Sequence, residues 1–461
     1  MPRPQPSLRT QANQLAHASL DHLREAAARW LRLPDDFGRP KRHRLFGPTL
    51  TFWLFLAQVL SPDGSCRETV TRFLAQLFRQ AEKTASPNTS AYCQARAKLK
   101  TGELRQAARQ LADRVEERGE NWRWRGRRVR VADGSGLSMP DTPPNQKRWP
   151  QSSRAKPGCG FPVMRVVGLF SLATGALIDF ADGALAVSER TLLRSLWPLL
   201  EIGDVLLADR GFCSFADFYI LARRGVDSVM RKDARRLNAA VIKRLGKNDR
   251  IVEWRKTGVR PDWLDERSWR ELPERLWVRE VKVEVENPGF RTRIIWIVTT
   301  LLDHRAYPAG ALARLYQRRW QVEIYFRDIK ITMGMDVLRC KTPAMVEKEV
   351  WMRVIAYNLI RGLMAEAAAK HGERPERISF KGTVAALRQW APVMAQAAGD
   401  DDAGLRCYAA FLYYLAKDKT RSRPGRVEPR ARKRRPKNYQ LLNKPRREFK
   451  EIKHRNHYRK A

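Results

Sequence analysis

Apolar residues recur three and four positions apart through 15–33, 49–60, 68–78 and 104–115, a period that predicts helices from Gln11 to about Glu120. Asp63-Gly64 and Ser86-Pro87-Asn88 punctuate this stretch, and Ser90 is placed to cap a short helix, 91–99, that carries Gln94, Arg96, Lys98 and, just beyond it, Lys100. After Gly126 the period falls to two. Residues 127–132 alternate polar and apolar and stop at Asp133-Gly134-Ser135-Gly136, which reads as a strand delivering Asp133 to a loop. Strand-like runs at 163–170 and 176–180 meet around Ala173-Thr174-Gly175, a hairpin signal, and a helix capped by Ser188 extends to about Leu200. Residues 204–208 form a short apolar strand of the kind buried at the centre of a sheet, closing on Asp209-Arg210-Gly211-Phe212. Residues 214–224 are helical again and 228–231 make another short strand. The stretch 234–300 is irregular, with 278–285 and 293–300 its clearest strands. Helix returns at 311–330, 344–369, 383–397 and 404–416.

This order predicts an α/β fold, an RNase H-like catalytic core interrupted by a β-rich insertion ahead of its last helix. A chain of 461 residues exceeds the size at which one core stops growing, so several domains are expected. They are a helical N-terminal domain at 1–120, the core at 121–343 with the insertion at about 233–300, a helical C-terminal region at 344–416, and a basic tail at 417–461.

Composition adds a partner. Lys and Arg number 89 against 49 acids, a net charge of +40. The tail holds 19 basic and 4 acidic residues, a net of +15, so the other 416 residues still carry +25. A chain basic throughout is suited to phosphate contacts and counterion release on nucleic acid; a solvated basic face or a membrane-surface patch is the plainer alternative. The short helix around Gln94 and Arg96 then reads either as a helix lying in a DNA groove or as part of an ordinary small bundle. The six cysteines show no CxxC or Cys/His spacing, so reduced thiols without structural zinc are expected. The N-terminus lacks a signal-peptide apolar region and the longest apolar stretch is too short to span a bilayer, which predicts a soluble, cytoplasmic, nucleoid-associated protein.

Candidate chemistry lies in the acids. Two-metal phosphoryl transfer needs carboxylates converging from separate elements, and Asp133 and Asp209 each close a predicted strand, where neighbouring parallel strands would set them side by side. In the helix YQRRWQVEIYFRDIK, Tyr316, Arg319, Glu323 and Lys330 are spaced by three, four and seven, which sets all four on one face. An Arg319–Glu323 ion pair on a solvated helix, about 0.3–0.5 kcal/mol, accounts for one pair only. Trp320 falls off that face as a core anchor, and Asp328 lies on the far side, a reserve acid only if the register shifts. Arg210 is either a phosphate contact or a charge partner of Asp209.

These residues resemble the DDE transposases of bacterial insertion sequences, specifically the insertion-sequence-four family, whose Tyr-x2-Arg-x3-Glu-x6-Lys signature stands complete as Tyr316, Arg319, Glu323 and Lys330. The resemblance extends through Ala132-Asp133-Gly134 and Leu207-Ala208-Asp209-Arg210-Gly211-Phe212. It implies that Asp133, Asp209 and Glu323 bind two Mg²⁺ ions, with Mn²⁺ able to substitute, and that Tyr316, Arg319 and Lys330 grip phosphates near the cleaved end. It also implies an aromatic in the insertion that stacks on a base flipped from the element's end, for which Trp296 is the counterpart; a strand Trp packed in the core is the alternative. The expected partner is double-stranded DNA, both element ends and target, held by a homodimer. The expected chemistry is cleavage at inverted repeats and joining to target DNA, through hairpin ends in relatives with this motif. The rival readings are an RNase H-like nuclease without strand transfer and a DNA-binding protein without catalysis.

Overall fold

A computed structural model describes residues 45–81, 85–154, 158, 160–233, 239–284, 294–397 and 401–420, with Ala27, Trp30, Leu31, Leu33, Phe37 and Gly38. The predicted helix at 15–33 and the basic tail beyond 420 therefore lie largely outside the described residues. The strands are β1 Val129–Ser138, β2 Val163–Ser171, β3 Leu177–Ala184, β4 Val205–Ala208, β5 Asp227–Arg231, β6 Ala240–Gly246, β7 Asp249–Arg255, β8 Arg275–Glu284 and β9 Ile294–Thr299. They form one sheet in the order β3-β2-β1-β4-β5-β9-β8-β7-β6. β1, β4 and β5 are parallel at its centre, and β1, β2 and β3 form an antiparallel meander at one side. Helices Glu189–Ser195 and Phe215–Arg223 provide the crossovers into β4 and β5.

Two differences from the sequence reading follow from pairing. β1 does not end before Asp133: it runs on to Ser138 because β2 pairs with it all the way, Asp133 opposite Gly168 and Ser138 opposite Val163. The Asp-Gly-Ser-Gly run has the composition of a turn, yet an antiparallel neighbour satisfies its backbone groups. The insertion, moreover, continues the core sheet. β9 returns antiparallel to β5, and β8, β7 and β6 extend from it, including a hairpin at 240–255 that the irregular texture had hidden.

Alternation along the central strands divides the interior in two. Val129, Val131, Val205, Leu207, Val229 and Ile297 face one core together with Leu312, Leu315 and Tyr316 and the helix Pro343–Lys370. Ala132, Leu206, Ala208, Met230 and Val298 face the other, with Leu192, Leu193 and Phe218 of the crossover helices. Pro343–Lys370 is buried along nearly its whole length, which explains why its sequence shows little amphipathic asymmetry. At the hairpin between β2 and β3, Gly175 holds φ +77°, and a side chain there would meet Tyr325 and Arg361.

The N-terminal helices Pro48–Leu60, Cys66–Ala81, Ser90–Lys98 and Thr101–Glu117 follow the predicted pattern, and so do Phe380–Gln396 and Asp401–Lys417 at the other end. Ser188 caps its helix, its side chain accepting from the Thr191 N–H. Ser90 does not cap: it is the first helical residue, and the Thr89 side chain at the cap position makes no capping hydrogen bond. Arg96 is not on a solvent-facing basic stripe. It is buried, its guanidinium 4.0 Å from the Phe55 ring centroid and donating to Cys66 Sγ at 3.0 Å and Cys340 Sγ at 3.6 Å. For this residue the bundle alternative holds, because packing of Ser90–Lys98 on Pro48–Leu60 turns it inward. No described helix is long and apolar enough to cross a membrane.

Candidate active site

β1 and β4 run parallel with Val131 opposite Leu207, and β4 and β5 with Leu207 opposite Val229. Two residues further along each strand stand Asp133, Asp209 and Arg231, so the register sets an acid, an acid and a base in a row. By alternation their side chains leave the sheet on the face shared by Val131, Leu207 and Val229, where the candidate helix lies.

That helix is continuous but changes pitch, from α at Ala309–Gln317 through a 3₁₀ turn at Arg318–Trp320 and α at Gln321–Arg327 to a π turn at Asp328–Thr332. Tyr316, Arg319 and Glu323 still converge on the strand acids. The buried Tyr316 hydroxyl donates to Asp209 Oδ1 at 3.3 Å. Arg319, 7% exposed, spans the site: its Nη1 is 3.5 Å from Asp133 Oδ2 and its Nη2 donates to Glu323 Oε1 at 3.2 Å. Its Nε is buried without a hydrogen-bond partner. Glu323, 48% exposed, sits at the mouth. Lys330 reaches back across the π turn to Ser135 Oγ at 3.2 Å and pairs with Asp336 at 2.9 Å.

Electrostatics follow from this crowding. Burial pushes the Asp133 carboxyl up to about 6; the Gly134 N–H and Arg319 oppose the shift, and the charges of Glu323 and Glu189 add to it. Burial and the Asp209 charge hold the Tyr316 proton more firmly than in a free phenol. Burial works against the charge of Arg319, but Tyr316, Asp209, Asp133 and Glu323 together outweigh it and raise its pKa.

Other candidates divide. Asp328 is buried away from the acids and accepts from Arg361 Nη2 at 2.8 Å. Trp320 is not a core anchor: it is 43% exposed, with Arg319 5.3 Å from its ring centroid, because the 3₁₀ turn rotates it outward. Arg210 is exposed and forms no ion pair with Asp209 among the described residues. Trp296 is half-buried on the sheet face opposite the candidate helix, its ring covered by Arg250 at 4.5 Å and Lys232 at 5.9 Å. Sequence reading missed Arg231, which was legible in principle as the residue closing the next short parallel strand.

Among the described residues no group of three His, Cys, Asp or Glu side chains is already gathered to hold a metal ion; a guanidinium stands between Asp133 and Glu323 instead. The donor chemistry suits a hard divalent cation all the same. It offers carboxylate oxygens alone, from two adjacent strands and a helix.

The family model for the transposase DDE domain matches residues 124–359, just over half of the chain, a span that holds strands β1 to β9 and the helix carrying Tyr316, Arg319 and Glu323. The chain belongs to this family. It is 28% identical over 298 residues to the transposase InsG for insertion sequence element IS4 of Escherichia coli strain K12, an alignment covering 63% of this chain. The chain spans 64% of the length of that relative. The cryo-EM structure of a piggyBac transposase synaptic complex with hairpin DNA aligns over 87% of this chain and 81% of that one, at 10% identity and a TM-score of 0.39.

One prediction concerns this transposase DDE domain without metal. Because Asp133 has a folded pKa of about 6, above the ordinary Asp value of about 3.9, the folded state holds the proton more tightly. The resulting destabilisation is absent below about pH 4, grows between 4 and 6, and is complete above 6. Asp133→Asn is therefore expected to melt higher than the native chain at pH 8, by about 1–3 kcal/mol of stability, with the gap closing towards pH 4. Equal melting temperatures across that range would show that Asp133 is not under charge stress.

Proposed function

We propose that this chain is the transposase of an insertion sequence, cutting the DNA at the element's inverted repeats and joining the freed ends to target DNA. The observation that supports it most is the register-matched pair Asp133 and Asp209 facing Glu323, with Arg319 bridging two of the three. In this reading Asp133, Asp209 and Glu323 hold two Mg²⁺ ions, for which Mn²⁺ can stand in, and when bound these supply Lewis-acid stabilisation of the attacking and leaving oxygens.

The chain's own groups do the positioning. Tyr316 orients Asp209 through its hydroxyl, so one oxygen of that carboxylate is fixed before DNA arrives. Once Asp133 and Glu323 are engaged elsewhere, the Arg319 fork is free to take two oxygens of a phosphate in bidentate fashion. Lys330 and the exposed Arg210 neutralise neighbouring phosphates, and Arg231, whose charge already acts on Tyr316, adds a cation on the other side of Asp209. The reaction needs no covalent link to the protein: water opens the phosphodiester, and the freed 3′-hydroxyl attacks a second strand, closing a hairpin end first where that route is used. Trp296, the proposed stacking partner of a base flipped from the element's end, lies on the far face of the sheet under the Arg250 guanidinium, so in this reading Arg250 has to leave its ring before the base can stack, a contact worth about 1–3 kcal/mol. Residues 1–120 bind the ends, 344–416 join two copies in the DNA complex, and the basic tail adds phosphate contacts.

The test uses DNA spanning both flanks of the coding sequence, with Mg²⁺, and compares the native chain with Asp209→Asn. Breaks at two inverted repeats, followed by joining of a pre-cut end to a second duplex, are expected from the native chain alone. Breaks without joining would make it a nuclease, and metal-independent effects throughout would make it a DNA-binding protein.

A further inference from the structure

A basic cleft lies beyond the π turn of the candidate helix. It encloses about 190 Å³ between the end of Pro48–Leu60 with the loop after it, residues 331–334, and the helices Pro343–Lys370 and Phe380–Gln396. Its lining among the described residues includes Arg339, Arg353 and Arg388 and no Asp or Glu. Ile331 and Gly334, both exposed, stand at its mouth.

The three guanidinium groups are only partly engaged. Arg353, 7% exposed, donates to the Met333 carbonyl and through Nη2 to Glu349 Oε1 at 3.1 Å, but its Nε is buried without a hydrogen-bond partner. Half-buried Arg388 donates through Nε to the Leu60 carbonyl, and Arg339 through Nη1 to the Asp63 carbonyl at 2.6 Å. Both bonds end on neutral oxygens, and neither side chain forms an ion pair among the described residues. The nearest acids are already in use. Glu349 serves Arg353 and the backbone N–H groups of Arg339 and Cys340, and Glu68 pairs with Arg72. Burial, and after it the charge of Arg72, hold Arg388 below the ordinary arginine range, with Glu68 opposing. A structural role accounts for the bonds of Arg353 to Met333 and Glu349. It does not account for an unmatched buried donor in a cleft where two further arginines lack a counter-charge. An anion rich in acceptor oxygens supplies both what the donors and what the charges are missing.

We propose that this cleft is a phosphate subsite, in which Arg339, Arg353 and Arg388 together hold one backbone phosphate of bound DNA. The assignment rests on the DNA-cutting role proposed above, because residues 331–334 continue directly from Lys330, whose charge that role places on neighbouring phosphates. It extends the phosphate grip away from the acids, onto a wall shared by the helices of both chain ends.

Two measurements on the full chain test it, neither of them reading activity. Thermal melts first compare inorganic phosphate with chloride at equal ionic strength. Phosphate is expected to raise the melting temperature of the native chain, and the rise to shrink in Arg339→Gln and in Arg388→Gln and to vanish in the double variant. The difference between the anions is taken within each variant, so a general loss of stability does not move it. A duplex covering one flank of the coding sequence is then titrated over a range of salt. Each variant is expected to make the slope of log affinity against log salt shallower, and the double variant by about 0.9 in all, the share of one phosphate. A loss of about twice that would mean two separate surface contacts and overturn the shared subsite. No rise in the native chain, or an equal rise in all variants, would remove the cleft as an anion site. A rise lost in the variants with the slope unchanged would make it a site for free phosphate and refute the DNA contact. Duplex binding by the native chain that ignores salt would sink the DNA-cutting reading itself, while the melts still judge the cleft.

Discussion

Glu323→Ala is expected to lower the proposed DNA cleavage by about 10³-fold or more, while DNA binding and folding persist. In the proposed metal-holding role of Glu323, its removal takes away transition-state charge stabilisation worth several kcal/mol, and each 1.36 kcal/mol is about a factor of ten in rate. The folded state loses little. Glu323 is half exposed and its hydrogen bond goes to Arg319, which keeps its contact with Asp133 after the truncation. The proposed DNA binding draws on the chain's excess of Lys and Arg, which the change leaves intact, so the salt dependence of the complex is expected to match that of the native chain. Cleavage of end-bearing DNA, read beside a mobility-shift titration, separates the two quantities. Cleavage within tenfold of native would remove Glu323 from the metal site, and loss of binding in parallel would make its role structural.

The second large effect lies behind the site. Arg361, 2% exposed in the middle of Pro343–Lys370, donates to Asp328 Oδ2 at 2.8 Å and to the Tyr357 hydroxyl at 3.0 Å. Its guanidinium also packs on the rings of Tyr325, Phe380 and Tyr357, at 4.7, 5.1 and 5.2 Å from their centroids. This one side chain ties the π turn that follows Glu323 to the buried central helix. Burial raises the Asp328 pKa and Arg361 is the chief opposing influence, so removing the arginine leaves a carboxylate poorly compensated in the interior. Arg361→Met is expected to cost about 3–5 kcal/mol in denaturant unfolding. Adding Asp328→Asn should recover a large part of that loss. A cost below about 1 kcal/mol, or no recovery in the double variant, would mean that the pair does not fasten the candidate helix to the core.

Arg279 shows the same economy in the insertion. It is fully buried, takes both oxygens of Asp249 and donates to the Tyr307 carbonyl at 2.7 Å, two residues before the candidate helix begins. Tyr307 in turn receives Arg127 at its hydroxyl and stacks on Trp124, with ring centroids 5.6 Å apart. The start of the helix is thus held by the insertion and by the strand leading into β1, and its later part by Arg361. Neither arrangement is visible in periodicity, because each joins residues more than a hundred positions apart in the chain or on separate elements.

What the sequence determined by itself is what depends on near neighbours. Apolar spacing placed the helices at both ends and the strands around Leu206 and Val229, since burial of one face is a local periodic demand. The excess of Lys and Arg, the two aspartates after apolar runs and the Tyr, Arg, Glu and Lys of one helix were equally plain, because side-chain chemistry needs no fold to be read. The tertiary structure decided the rest. Whether Asp133 ends a strand or lies within one depended on how far β2 pairs alongside it, and whether Arg96 faces solvent depended on which helix packs against its own. Pairing of β9 with β5 made the insertion part of the core sheet. Arg231 came to the acids only through parallel register, and Arg339, Arg353 and Arg388 to one cleft only through helix packing, which bring together groups whose separation along the chain carries no periodic signal.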